Sequence, residues 1–358
     1  MRFAPRKLLA ALSLAVSASF AVGIATAEDI KLRIASGHPA ANTYVNLMQN
    51  FFVPEVTKRV AAKTKHKIEF IEGYGGAMVK VADTLEGVQS GIIDIGGYCF
   101  CFEPSNLPLH AFQVMLPFGS MDPETSVKLA RSVYDKVPYM SKVFEDKYKQ
   151  KLLALIADNG YNLGTTFDWK TVADLKGRKL AGAGLNLKWL EFAGATPVQS
   201  SLPEAYTSMQ TGVYNGWIMF PSGWVNFKLH EVGKYYTEVG FGSITWHGLT
   251  INQAKFAKLP KDVQAIIVEV AKEFEAKTGS VNKENYPKQL DQLRKLGTTV
   301  NAVPDSVKLD WANSLKDWPQ QKAAELDKQG MPASQVLKIT LQEAEKLGHK
   351  WPVRYAVK

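Results

Sequence analysis

Cysteine and histidine are scarce: the 358-residue chain has two cysteines and six histidines, at 38, 66, 110, 230, 247 and 349. No histidine pair has metal-ligand spacing, and two cysteines without nearby histidines make half a zinc site at best. Catalytic motifs are absent too. There is no G-x-S-x-G elbow, no P-loop and no H-E-x-x-H. The nearest thing to a phosphate loop, "GYGGAM", lacks the Lys-Ser/Thr and reads as a turn. No local signature pairs a nucleophile with a base. A triad can still assemble from distant residues, so a secreted enzyme stays as an alternative to a binding protein. The leading expectation is no catalysis, no metal and no cofactor. Lysine and arginine form no cluster interleaved with aromatics, which argues against nucleic acid. Low-complexity segments and clear repeats are missing as well.

Long apolar runs are confined to the start. Arg2, Arg6 and Lys7 precede the apolar run Leu8 to Ile24, then Ala25-Thr26-Ala27 and the acidic Glu28-Asp29. This order is that of a secretory signal peptide spanning 1–27, with a retained anchor as the other reading. No later stretch is long and apolar enough to span a bilayer. The mature protein is expected to be soluble, exported to the periplasm and monomeric. Losing the three basic residues lowers the formal charge from +9 to +6, and the remainder is spread along the chain.

The mature length suffices for two domains with real cores. "IKLRIAS" (30–36), "KIEFIEG" (67–73) and "IIDIGGYCF" read as strands separated by helical patterns. A second series begins at "KLLALIAD" (151–158), an apolar run fit for a central strand. "RKLAG", "TPVQSS" and "YNGWIMFP" follow as strands, with helices around "LKWLEFAG" and "LPEAYTSMQTG". A long amphipathic helix begins at "LPKDVQAII", and the tail after Asp305 is mostly helical. The alternation predicts an α/β protein with a mostly parallel sheet and helices on both faces. With no obvious linker, the chain is expected to cross between two lobes more than once, leaving a cleft between them.

Cys99 and Cys101 lie two apart on the third strand. On an extended strand their Cα atoms would stand roughly 6.5–7 Å apart, at or past the limit for an unstrained bridge, so they read as buried thiols. Trp217, Trp224 and Trp246 fall within about thirty residues of each other. Each alone reads as core as readily as site; together near strand ends they make a stacking surface in a cleft.

"LPEAYTSMQTGVYNG", "TVADLKGRKL", "TLEGVQSGIIDIG", "KLHEVGKYY" and "KFAKLPKDVQAII" resemble, in order, five segments of the DctP-type solute-binding proteins of TRAP transporters. The resemblance covers nearly all of the mature chain. It implies a two-lobed periplasmic-binding-protein-like α/β fold with mixed sheets, strand switching and a long hinge helix. The lobes would be 28–157 plus about 245–280, and 158–244 plus about 281–358. It implies closure on a small organic solute, often an acid, and delivery to a membrane permease.

One feature of that family is missing. The arginine that clamps the solute carboxylate, on the strand after "D-L-K-G", aligns with Ala181. Apart from Arg2 and Arg6 the chain has six arginines, at 33, 59, 131, 178, 294 and 354, none at an expected cleft-facing strand end. A buried carboxylate needs a charged partner or several N–H donors. Either a lysine substitutes (Lys80 or Lys188), or backbone N–H groups do, or the solute is neutral or zwitterionic. The resemblance places the rest of the pocket at His38, Tyr98, Cys99, Tyr161, Asn162, Trp217, Met219, Phe220, Trp246 and His247. This pocket is more aromatic and less cationic than the family norm, so an aromatic or atypical organic acid is expected.

Overall fold

The computed structural model describes Met1 and residues 27–357; the stretch read as a signal peptide lies almost wholly outside the described residues. Among these residues, nine strands join one sheet. They are β1 (Asp29–Ser36), β2 (Lys67–Tyr74), β3 (Ile95–Cys99), β4 (Gln150–Thr165), β5 (Lys179–Gly182), β6 (Thr196–Gln199), β7 (Gly216–Met219), β8 (Tyr235–Asn252) and β9 (Thr299–Ala302). The spatial order is β2-β1-β3-β8-β4-β7-β5-β6, with β9 added beside β8.

The sheet is mixed rather than mostly parallel. β1 pairs parallel with β2 and β3, and β5 with β6 and β7, but β8 runs antiparallel to β3 and β4, and β4 antiparallel to β7. The antiparallel pairs come from β4 and β8, of 16 and 18 residues. Each is long enough to run through both lobes. β8 was not legible as a strand because Gly240 and Gly242 break its pattern. Both have positive φ, 76° and 113°, which glycine tolerates without cost from a Cβ.

β4 and β8 do not pair evenly. The register shifts between Ile156 and Ala157, between Ala157 and Gly160, and again between Tyr161 and Leu163. Such bulges bend a strand and re-aim its side chains. Among the residues left out of this ladder are Asp158 and Asn159 on β4 and Ile244 and Trp246 on β8. The expected crossing points near 157/158 and 245 fall inside these strands, beside the bulges.

A 35-residue helix, Lys261–Lys295, takes up the backbone groups that the bulge frees. Leu155 N–H donates to Glu275 Oε2 (2.7 Å) and Ala157 N–H to Thr278 Oγ1 (3.2 Å), while Asn282 Nδ2 donates to Ala157 O (2.8 Å). Positions 275, 278 and 282 share one helix face, so one stripe of polar side chains meets one irregular stretch of strand. Buried backbone groups left without such partners would cost about 1–3 kcal/mol each.

Two apolar cores flank this seam. The smaller joins Leu32, Ile34, Phe52, Val56, Leu249 and Phe274 at the β2-β1-β3 end. The larger includes Trp189, Ile218, Trp224, Phe241 and Trp311 toward the β7-β5-β6 end. The lobes touch across the gap: Asn226 Nδ2 donates to Ala41 O at 2.9 Å.

Candidate functional site

A cavity opens where the strand ends of the two lobes face each other. Its walls include His38, Asn42, Cys99, Cys101 and Phe102 from one side. Ala183, Asn186, Leu202, Trp217, Ile218, Met219 and Phe220 come from the other, and Tyr161, Trp246 and His247 from the seam. About 380 Å³ within it is free of protein atoms, but a water-sized sphere has only about 30 Å³ of freedom. That is room for about two waters. A larger solute needs these walls to move apart.

Eight of the thirteen residues expected at the site line this cavity: His38, Cys99, Tyr161, Trp217, Met219, Phe220, Trp246 and His247. The other five lie elsewhere. Lys188 stands half-exposed, its Nζ 2.7 Å from Glu191 Oε2, and Lys80 is exposed. Neither lysine is in the wall. Tyr98 alternates to the opposite face of β3, where its hydroxyl donates to Gln150 Oε1 at 3.1 Å. Asn162 turns toward the long helix: its Nδ2 donates to Tyr286 OH (2.9 Å) and its Oδ1 accepts from Gly240 N–H (2.9 Å). Ala181 is buried opposite Trp217 in the β5–β7 register. The next outward position, Ala183, reaches the cavity instead.

The cysteines correct an expectation. They are not free thiols but a disulfide, with Cα atoms 5.1 Å apart. The strand ends at Cys99, and Cys101 lies in the 3₁₀ turn Phe100–Phe102. That turn shortens the extended spacing on which the thiol reading relied.

No lysine or arginine lines the cavity. The arginines are engaged elsewhere: Arg33 with Asp94, Arg59 with Glu55, Glu269 and Glu273, Arg131 with Glu275, Arg294 with Asp291. Arg178 lies over the Phe167 ring.

Behind the wall stands an acid not foreseen from the sequence. Asp158 Oδ2 accepts from Tyr161 OH (2.7 Å) and from Trp246 Nε1 (2.8 Å), and lies 3.2 Å from His247 Nδ1. Distance and direction disagree for the last contact. The pair is within ion-pair reach, yet His247 Nδ1 makes no aligned hydrogen bond. The two groups are close without being joined by a hydrogen bond. The neighbouring His38 behaves differently. Burial pulls its pKa down to about 3, with His247 lowering it further and Asp158 opposing. His38 is thus a neutral ring, sharing a 3.0 Å hydrogen bond through Nδ1 with Tyr44 OH. Burial and the Asp158 charge push the Tyr161 phenol well up, so it stays a donor. Among the described residues, no group of three or more His, Cys, Asp or Glu is placed to hold a metal ion.

Residues 43–325 match the bacterial extracellular solute-binding protein family 7, DctP. The chain belongs to this family. Among DctP relatives, it is similar to the C4-dicarboxylate-binding periplasmic protein DctP of Rhodobacter capsulatus, at 24% identity over 69% of this chain and 81% of that one. Solved structures with the same fold include a TRAP solute-binding protein from Rhodoferax ferrireducens in complex with copurified benzoate. It has a TM-score of 0.79 at 19% identity, over 89% of this chain and 98% of that one. Another, from Bordetella bronchiseptica with bound (R)- and (S)-mandelate, has a TM-score of 0.78 at 23% identity, over 89% and 99%. Family membership makes this chain an extracytoplasmic solute-binding protein of the TRAP type, with a membrane permease as its partner.

Proposed function

We propose that this DctP protein captures a small ring-bearing organic acid, works as a monomer in the periplasm, and catalyses nothing. The observation that carries the ligand class is the wall itself: Phe102, Tyr161, Trp217, Phe220 and Trp246 around a few neutral polar groups. Rings of this kind stack on a flat solute and bury its apolar body. Benzoate and mandelate are ligands of the similar proteins, and they set the size of probe to try.

The carboxylate has no fixed cation to meet. His247, in the cavity wall and 3.2 Å from the Asp158 carboxylate, is the group placed to supply one. The solute anion then stands on one side of the imidazolium and Asp158 on the other. The acid and a proton bind together, where relatives of the usual pattern use an arginine. C4-dicarboxylates bring two charges against one such proton and bind poorly, at millimolar concentrations or weaker.

A second reading has its own support. A cavity without lysine or arginine, backed by an acid, also suits an uncharged solute. Thermal-shift screening of the mature protein with acid and amide pairs separates the two. Benzoate against benzamide and mandelate against mandelamide are the first pairs. Stabilisation by the acid that grows as pH falls supports the acid reading. Stabilisation by the amide alone supports the neutral one.

A further inference from the structure

The lobes make a second contact, and it is made by backbone. Cys101 follows β3 and Gly184 follows β5; β8, β4 and β7 lie between those strands in the sheet. Yet a Cβ placed on Gly184 would stand 2.6 Å from Cys101 O and 3.2 Å from Cys101 Cα. Gly184 also has φ of +58°, a conformation that glycine adopts without penalty. Only a residue without a side chain lets the two loops close to this distance.

Each loop is held in its own lobe. On one side the bridge ties Cys101 back to Cys99, and Cys101 N–H donates to Cys99 Sγ at 3.1 Å. On the other, Gly184 N–H donates to Gln199 Oε1 and Ala183 N–H to Asn186 Oδ1, both at 2.8 Å. Both cysteines and Ala183 line the cavity as well. The contact therefore sits at the edge of the space that a solute fills.

We propose that the Cys99–Cys101 disulfide and Gly184 form a latch for the closed cleft. The bridge holds the Cys101 carbonyl where Gly184 docks, and the docked pair favours the shut form. Cys99, Cys101 and Gly184 are positioning residues in this role. An exported protein meets oxidising conditions, so the bridged latch is the resident form. A dithiol reductant opens it. Two electrons and two protons pass to the cysteines, giving two thiols, and the reductant closes to its own disulfide. The freed turn then relaxes toward strand spacing and withdraws the Cys101 carbonyl from Gly184. The inference rests on the cavity being the solute site, but its test needs no solute.

The experiment is hydrogen exchange, read by mass spectrometry, on the solute-free mature protein. The wild type is compared with Gly184→Ala, with Cys99→Ser/Cys101→Ser and with dithiothreitol-treated wild type. The expected result is reciprocal. Opening the bridge speeds exchange several-fold at 183–187, and Gly184→Ala does the same at 99–104. The helix 261–295 is unchanged in both. If the serine pair fails to fold, Gly184→Ala and the reduced wild type still decide. Faster exchange confined to the altered loop's own side would overturn the latch. So would two alkylatable thiols in the unreduced protein.

Discussion

Two carboxylates lie against the same stretch of β4, Asp158 buried and Glu275 part-buried, and they are treated differently. Glu275 is met by a guanidinium: Arg131 Nε donates to Oε1 at 2.8 Å, Arg131 Nη2 donates to Oε2, and Leu155 N–H completes the set. Asp158 is met by a phenol, an indole and an imidazole that stands close but misaligned. The first site is complete without anything from outside. The second holds a carboxylate beside an imidazole in the wall of a cavity. The difference separates an acid that holds the fold from an acid that can respond to a ligand.

The largest expected effect lies at the complete site. Arg131→Met leaves the part-buried Glu275 without its guanidinium, which should cost about 2–3 kcal/mol of stability and leave solute affinity unchanged. Urea unfolding measures it, and a loss under about 1 kcal/mol would erase the contrast. Next comes Asp158→Asn, which keeps an acceptor for Trp246 and Tyr161 but removes the charge facing His247. The affinity for benzoate or mandelate should fall by about 1 kcal/mol, the scale of a close charge contact that is not an aligned hydrogen bond. Amide affinity should hardly move. Calorimetry on the two variants reads both numbers.

The third expectation is a pH slope. His38 falls from 6.5 to about 3, and His110 to about 4, both chiefly by burial. A histidine with a depressed folded value binds its proton in the unfolded chain first. Its contribution is present above 6.5 and is lost as pH drops toward the folded value. Each ring should remove about 1.4 kcal/mol per pH unit in that window. Between pH 6.5 and 5, His38→Gln should unfold with a shallower pH dependence than the wild type; equal slopes would assign the loss to other groups. The smallest expected effect is at Lys80→Met and Lys188→Met. Both side chains stand outside the cavity wall, so stability should change within about 0.5 kcal/mol and solute affinity not at all. A loss of binding in either would return that lysine to the site.

Much of the candidate cavity's lining was legible through the family resemblance. The family resemblance carried His38, Cys99, Trp217 and Phe220 over to expected strand ends, and these ends line the cavity. The five residues that lie elsewhere depend on side-chain direction. A strand alternates faces, so Tyr98 and Ala181 point away although their neighbours point in. Lys188 could not be placed because it has an ion-pair partner, Glu191, three residues on. Asp158 was hidden for another reason. It is the last letter of "LLALIAD" and reads as a strand's polar end, while β4 in fact continues to Thr165. Only the uneven register against β8 turns it toward Trp246, and register is not written in either strand alone. The disulfide was missed because strand geometry was extended past the point where the chain turns.

The most direct test of the proton-for-arginine substitution is calorimetry of the mature protein with benzoate and benzamide. It would be run from pH 6 to 8 in two buffers that differ in ionisation enthalpy. The expected result is that benzoate binds with net proton uptake. Its affinity should fall as pH rises, while any benzamide binding stays flat. Benzoate binding with no proton uptake and no pH dependence would contradict it, as would tight benzamide binding with none by benzoate.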